Sequence, residues 1–215
     1  LAEAGLRPIV LERGKPVDER YEDVQRFWET KDMPDPESNV QFGEGGAGTF
    51  SDGKLTTGIR DTRIRRVLEE FVRAGADPAI LIKQKPHVGT DKLRGVIKNI
   101  RKHIESMGGE IRFSTRLDGL ETEDGKLTAL MTSNGRIETD WLILAIGHSA
   151  RDTFRMLYEE GFAMEQKPFS IGVRVEHPQK KINKAQYGDE KLAEIIGPAE
   201  YKLSYKCRKT GRGVY

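Results

Sequence analysis

The sequence predicts an α/β fold, and three patterns along the chain carry that prediction. A short apolar run at 8–11 ends in Glu12 and is typical of a buried parallel strand. A glycine cluster at 43–53 has five glycines in eleven positions. A continuous apolar run at 141–146 then passes through Gly147 directly into a predicted helix. Strands that alternate with glycine turns and helices favour a sheet covered by helices.

The first strand has the setting of a dinucleotide-binding unit. Residues 1–5 are typical of a helix end, with Gly5 as the stop, and the strand that follows ends in Glu12. Helix, glycine, strand and acid form the second half of a βαβ unit, in which the acid binds an adenosine ribose. The prediction is therefore a Rossmann-like domain whose first strand and G-x-G-x-x-G loop are missing from this sequence, as expected of an internal fragment. The alternative is a solvated acid at a strand end.

The glycine cluster is the second candidate for ligand binding. Glycine adopts positive φ and lets the backbone approach a ligand closely, so the cluster favours a loop around a phosphate or a flat ring. A flexible surface loop remains the alternative, because a glycine-rich run alone is a weak motif.

Apolar spacing of three and four residues predicts two helices after this loop. One begins at Asp61 or Thr62 and carries apolar residues from Ile64 to Val72, and the other begins at Thr90 or Asp91 and ends before Gly108. A helical insertion is thus expected at about 60–90. The stretch 15–41 is expected to be irregular, and the basic residues on the second helix to form a solvated face.

A β-meander is predicted next. Residues 110–117, 120–122 and 127–132 have strand character, and Asn134-Gly135 favours a type I′ hairpin turn. The run 141–147 is predicted to be a central buried strand, and the helix after it to begin in a capping box of Ser149 and Asp152.

Two domains follow from these patterns: a partial dinucleotide-binding domain at 1–160, and the beginning of a substrate or cap domain of the α+β class at 161–215. In the second domain, strands are predicted at 169–176 and 201–209, and a short helix at 192–196.

Composition narrows the function classes. The formal net charge is +2, so no strong polyelectrolyte partner is implied, and no apolar run is long enough to span a bilayer. Cys207 is the one cysteine, which excludes an intrachain disulfide and favours a cytoplasmic location. The four histidines show no metal-ligand spacing.

Three segments together resemble a known flavoprotein family. They are PIVLERG at 8–14, QFGEGGAGTFSDGKL at 41–55 and LILAIGHSARDTF at 142–154. In this order they are similar to the NAD(FAD)-utilising, FAD-dependent dehydrogenases, which belong to the glutathione-reductase-like flavoproteins with two dinucleotide-binding domains.

The resemblance implies FAD as the cofactor and assigns roles to matching positions. Glu12 would bind the adenosine ribose with Arg13 beside it, and the backbone at Leu117 would meet the adenine. Gly147 would lie where the last strand returns to the cofactor, next to His148. The residues expected to line the diphosphate, the flavin or its side chain are Gly45, Gly46, Ala47, Gly48, Thr49 and Lys54.

The expected function is that of an FAD-dependent oxidoreductase with a small-molecule substrate and NADH or NADPH as a possible reductant. His148 is a candidate for tuning the flavin, and Arg174 and His177 for the substrate side; no catalytic residue is assigned. One alternative is an RNA-binding or tRNA-modifying flavoprotein, because basic and aromatic residues alternate at 201–212. Another is a fragment that folds but is inactive alone.

Overall fold

The computed structural model divides into two compact units, Leu1–Met164 and Glu165–Tyr215. Each contains helices and short strands, so the fold is mixed α/β, as the sequence predicts. The Rossmann-like arrangement stays a prediction. The residues that the structure describes are 1–50, 53–55, 57, 59–83, 86–167, 169, 171–173, 175–189, 191–201 and 204–214.

A parallel pair of strands is the centre of the first unit. Strand β1 (Ile9–Leu11) pairs with β2 (Glu110–Arg112), and the alignment continues beyond both strands, where Thr115 N donates to Glu12 O at 3.0 Å. The predicted parallel strand is confirmed, but its predicted burial is wrong, because Ile9 and Val10 are 43% and 41% exposed. The predicted strand at 110–117 is also corrected, since it ends at Arg112 and joins β1 rather than the meander.

Helix α1 (Val17–Thr30) occupies most of the stretch that the sequence predicts to be irregular, so that prediction is wrong. Its buried face consists of Val17, Arg20 and Val24. An arginine stands where an apolar residue is expected, which hides the helical pattern in the sequence. Glu44 supplies the cap from a distant loop: its Oε2 accepts a hydrogen bond from Val17 N at 2.7 Å.

The two predicted helices at 60–107 are confirmed as α2 (Arg63–Arg73) and α3 (Thr90–Ser106). They enclose a core with a short 3₁₀ helix, Pro78–Leu81. The basic residues of α3 are not all solvated as predicted. Arg94 stacks on the Tyr21 ring of α1 at 3.9 Å, and Arg101 lies 3.3 Å from the Glu44 carboxylate. The buried core residues are Ala76, Ile80, Val88, Leu93 and Val96.

The meander is confirmed as three antiparallel strands, β3 (Leu117–Glu123), β4 (Lys126–Thr132) and β5 (Gly135–Glu138). The predicted type I′ turn at Asn134-Gly135 is wrong, because only Gly135 has positive φ there. Instead, the Asn134 amide donates to Thr115 Oγ1 at 2.8 Å and ties the turn to the loop before β3.

The apolar run 141–147 forms no strand in the structure, which corrects the predicted central strand. Trp141 and Ile143 are 88% and 72% exposed. A strand exists only through its ladder of hydrogen bonds, and none of the described segments pairs with this one. The chain then enters α4 (Arg151–Glu159), which contacts β3 of the meander and whose buried residues are Thr153 and Leu157.

The second unit contains helices α5 (Gln179–Tyr187) and α6 (Leu192–Ile196) and a short antiparallel pair, β6 (Tyr205–Lys206) and β7 (Gly213–Val214). The helix predicted at 192–196 is confirmed. The described part of 169–176 forms no strand, contrary to prediction, and its apolar side chains are exposed. None of the helices in the described ranges is both long and apolar enough to cross a bilayer.

We expect Glu44→Ala to lower the free energy of unfolding by about 1–3 kcal/mol, because it leaves Val17 N and Arg101 without their carboxylate partner. Urea denaturation measures this change. Glu69→Ala is the matched control: among the described residues Glu69 makes one exposed ion pair, with Arg65 of the same helix, so its loss should cost less than about 0.5 kcal/mol. Equal effects of the two substitutions would contradict the capping role of Glu44.

Candidate functional site

The candidate site lies at the carboxyl end of the parallel pair β1–β2. The chain leaves β1 through Glu12, Arg13 and Gly14, and these three residues contact the loop 37–44 and the first turn of α4. In open α/β sheets, ligands bind at the carboxyl ends of strands. The glycine loop, defined here as residues 43–50, joins this point.

Glu12 anchors the glycine loop to the end of β1. Its Oε1 accepts hydrogen bonds from Gly14 N at 2.8 Å and from Gly43 N at 3.2 Å. Both of these bonds use Oε1, and no described residue donates a hydrogen bond to the second oxygen, Oε2. The acid that the sequence assigns to a ribose therefore also holds the loop in place with one of its two oxygens.

Arg13 connects three parts of the first unit. Its Nε donates to Glu37 at 2.7 Å, and its two terminal nitrogens form a bidentate pair with Asp152 of α4 at 2.9 Å each. The guanidinium also stacks over the Phe42 ring at 4.4 Å. Burial lowers the pKa of Arg13, but the hydrogen bonds and charges of Glu37 and Asp152 outweigh it and raise that pKa.

Arg13 also lowers the pKa values of its two carboxylate partners, Glu37 and Asp152. The Arg13 hydrogen bond is the main cause that holds the pKa of Glu37 below its ordinary value, and Arg116, at 2.8 Å from Glu37, adds to it. The same arginine lowers the pKa of Asp152. Asp152 thus pairs with Arg13, and its Oδ1 also accepts a hydrogen bond from Thr153 N at 2.9 Å. The predicted capping box of Ser149 and Asp152 is wrong, because Ala150 occupies the N-cap and its side chain caps no N–H group.

The glycine loop has a buried side and an exposed side. Gly43, Glu44, Thr49 and Phe50 are buried, whereas Gly45, Ala47 and Gly48 are exposed. The loop is ordered by its own hydrogen bonds, from Gly46 N to Gly43 O at 3.0 Å and from Thr49 N to Gly46 O at 3.3 Å. This arrangement favours a defined surface over the flexible loop that the sequence left open.

Close packing explains two of its glycines, Gly43 against Arg20 and Gly45 against Thr49. Gly45 has φ of 85°, and a Cβ there would lie 2.2 Å from Thr49 Oγ1. A Cβ on Gly46 or Gly48 would meet nothing within 4 Å, so space is open above them. The loop therefore presents exposed backbone with room for a ligand, and positive φ at Gly43, Gly45 and Gly46 provides the curvature.

Arg20 lies beneath this loop, fully buried. It donates from Nε to Asn39 O at 2.8 Å, and from Nη1 to Gly43 O at 3.2 Å and Glu44 O at 2.8 Å. Burial lowers its pKa to about 10, against the opposing charges of Glu12 and Glu44.

The remaining predicted site residues have separate positions. Lys54 forms an isolated antiparallel bridge with His87. Leu117 begins β3, opposite Thr132. Gly147 has φ of 70°, and both it and His148 are exposed.

Other sequence candidates lie elsewhere. Ser51 and Asp52 of the matched motif, Arg174 and Lys202 lie outside the described residues. His177 Nδ1 lies 2.7 Å from Tyr201 OH within the second unit.

Sequence reasoning missed the roles of Arg20, Glu37 and Asp152. The one available signal was Arg20 itself, a charged residue at helical spacing between Val17 and Val24. Nothing local marks Glu37, because its partners are 24 and 79 positions away.

The residues present have the chemistry that two parts of a dinucleotide require. The backbone at 45–48 is exposed, with open space at Gly46 and Gly48, as a diphosphate requires. The oxygen of Glu12 that lies outside its anchoring contacts is an acceptor for a hydroxyl group, not a partner for a phosphate. Within the described ranges, no group of three or more His, Cys, Asp or Glu side chains is placed to hold a metal ion.

We expect Gly45→Ala to lower the free energy of unfolding by about 1–3 kcal/mol, because the substitution places a side chain at positive φ. The new Cβ also meets Thr49 Oγ1. Gly48→Ala is the matched control, since Gly48 has open space and no positive φ. It should be neutral or slightly stabilising. Thermal or urea unfolding compares the two, and a Gly45→Ala protein as stable as Gly48→Ala would contradict this packing.

The lowered pKa values of Glu37 and Asp152 predict a fall in stability in acid. Both carboxylates bind fewer protons in the native state than in the unfolded state, so their contribution is present above their ordinary values of 4.5 and 3.8 and is lost as the pH falls through the native values. Glu37→Gln should remove part of this pH dependence between pH 5 and 2, whereas Glu105→Gln, an exposed position, should not. Unfolding free energies measured across that range test this, and identical slopes would contradict it.

A comparison with protein families matches part of the chain. A family model described as "FAD-dependent protein, C-terminal domain-like" matches residues 168–215, all of which fall in the second unit. The match supports an FAD-dependent protein at the level of a broad class and defines no subfamily.

Comparisons with whole proteins add one relative and one solved structure. A protein of Clostridium beijerinckii with the name "Uncharacterized protein" is 51% identical over 215 residues, which is 100% of this chain and 40% of that protein. The chain thus spans less than half the length of this relative. L-Amino acid deaminase from Proteus myxofaciens, solved in complex with anthranilate, has a TM-score of 0.28 and 15% identity and covers 65% of this chain and 40% of its own. At that TM-score the likeness supports no statement about this chain.

Proposed function

We propose that this chain is part of an FAD-dependent oxidoreductase and that its glycine loop helps to hold the cofactor. The observation that carries the proposal is the exposed, ordered backbone at 45–48, fixed by Glu12 at the carboxyl end of a parallel strand. The family match at 168–215 supports FAD as the nucleotide.

In this proposal the strand end recognises the adenosine half of FAD. Glu12 Oε2 accepts from the ribose, while Oε1 keeps its two backbone amides. Arg13 stays paired with Glu37 and Asp152 and orients the first turn of α4. The backbone at Leu117 contacts the adenine.

The glycine loop serves the diphosphate and the flavin. Backbone amides are suitable donors to phosphate oxygens, and residues without bulky side chains allow close approach. In this proposal Lys54 contacts the flavin or its ribityl chain, and Gly147 and His148 contribute from the turn before α4. Thr49 is buried, so its part is to support Gly45 from beneath the loop.

When bound, FAD supplies the hydride or electron chemistry of the reaction. This chain contributes binding, orientation and the electrostatic surroundings of the cofactor. A small-molecule substrate and NADH or NADPH as reductant belong to the proposal for the whole protein, and neither is assigned to particular residues.

We expect the full-length protein to bind FAD and to show the visible absorption of an oxidised flavin. Glu12→Gln keeps a carbonyl oxygen for Gly14 and Gly43 but loses the negative charge, so FAD affinity should fall about tenfold or more, as for the loss of a charge-assisted hydrogen bond. Glu19→Gln, an exposed substitution on α1, should leave affinity unchanged. Absorption titration with FAD measures all three proteins.

Anaerobic bleaching by NADH or NADPH in the same sample would identify the reductant. A full-length protein that is colourless and takes up no added FAD would overturn the cofactor assignment. Equal affinities of the Glu12→Gln and Glu19→Gln proteins would overturn the ribose contact alone.

A further inference from the structure

Arg20 has an unusual set of partners for a buried arginine. It is fully buried, and the acceptors of its side chain are three backbone carbonyls, those of Asn39, Gly43 and Glu44. No carboxylate accepts from it in the described structure. Its Nη2 is buried and has no hydrogen-bond partner there. Phe50 covers the guanidinium, with its ring centre 4.8 Å from Arg20 Cζ.

The burial of the Arg20 charge among carbonyl groups lowers the stability of the folded state rather than raising it. A buried charge without a paired carboxylate carries a desolvation penalty that carbonyl acceptors offset only in part. The pKa of Arg20, lowered by burial to about 10, is a sign of that penalty. An apolar side chain of similar length would fill the same space without it, so stability alone does not explain an arginine at this position.

What Arg20 does locally is to fix the direction of two successive peptide groups. Its Nη1 holds Gly43 O, and the N–H on the other side of that peptide, at Glu44, donates to Lys15 O at 3.1 Å. Its Nη1 also holds Glu44 O. Because a trans peptide is planar with its C=O and N–H antiparallel, the N–H of Gly45 is turned away from Arg20.

The Gly45 N–H differs from its neighbour in one respect. Unlike Glu44 N, it donates to no acceptor among the described residues. Gly45 is also exposed, and open space lies above Gly46 and Gly48. The peptide between Glu44 and Gly45, whose carbonyl Arg20 holds, thus presents its N–H as a donor on the exposed side of the glycine loop.

The fit between Arg20 and the loop is close. A Cβ on Gly43 would lie 2.3 Å from Arg20 Cδ, so the loop passes directly against the arginine stem. Glu44 strengthens the same contact from the other direction, because its carboxylate caps α1, the helix that carries Arg20.

We propose that Arg20 is a positioning residue for the cofactor: by holding the carbonyls of Gly43 and Glu44 it turns the Gly45 N–H outward as a donor to the diphosphate of a bound dinucleotide. The inference rests on the proposed function for the identity of the ligand. The hold of Arg20 on the loop is independent of it.

The test compares Arg20→Met with Arg26→Met in the full-length protein. Methionine fills similar space without any donor, and Arg26, on the same helix, has a side chain that is 68% exposed. Hydrogen exchange without cofactor should be about tenfold faster at Glu44 N and Gly46 N in Arg20→Met, while the core of α3 exchanges as in the wild type. Arg26→Met should leave both regions unchanged.

The second readout is FAD affinity. We expect Arg20→Met to weaken binding about tenfold, the loss of one well-placed donor. Urea denaturation of the same protein should show that it remains folded, with a midpoint lowered by the loss of the donor to Asn39 O, Gly43 O and Glu44 O. Arg20→Lys, which keeps a charge and donors, should recover part of the affinity. If Arg20→Met does not fold, Arg20→Lys carries both measurements, with smaller changes in the same direction.

The outcomes separate the two claims. Unchanged exchange at Glu44 and Gly46, or an equal increase throughout the protein, would overturn the positioning role. Faster loop exchange with unchanged FAD affinity would overturn the link to the ligand. A wild-type protein that binds no FAD would overturn the proposed function, while the exchange comparison would still decide whether Arg20 holds the loop.

Discussion

The first unit depends on the bidentate pair between Arg13 and Asp152. It joins residues 139 positions apart and brings the first turn of α4 to the end of β1. The third donor of Arg13 holds Glu37, and Glu37 in turn holds Arg116 just before the meander. Arg13 is partly buried, and both of its partners are carboxylates. Its positive charge is therefore compensated at the strand end, which makes the arrangement favourable.

The two arginines of the site therefore have opposite electrostatic situations. Arg13 lies between two carboxylates, and their combined effect outweighs burial and raises its pKa. Arg20 lies among carbonyls, and burial lowers its pKa. The first is a structural link that stabilises the ionised forms of its two partners, Glu37 and Asp152, and so lowers their pKa values. The charges of Glu12 and Glu44 compensate the second arginine only in part, so its positive charge under the exposed loop would favour an anionic ligand there.

Local patterns in the sequence predicted what depends on local forces. The helices α2 and α3, the hairpins of the meander and the parallel strand at 9–11 follow from apolar spacing and from turn residues. Helix α1 was not predicted, because Arg20 interrupts its apolar stripe and because its capping residue, Glu44, is 27 positions away from Val17. The strand prediction at 141–147 was wrong although the local pattern there is clear. Its residues suit a strand, but strand formation requires a hydrogen-bonding partner outside the segment.

The same distinction applies to the site. Glu12 and the glycines were visible because their residue types are unusual at those places, whereas Glu37 and Asp152 gain their roles only from distant arginines. What the sequence alone did not convey is that the strand-end acid also holds the glycine loop. One oxygen of Glu12 holds Gly43, and through it the exposed backbone at 45–48 keeps its position relative to β1. A ligand that uses the other oxygen would meet a loop already in place, and so would bind without the entropic cost of ordering it.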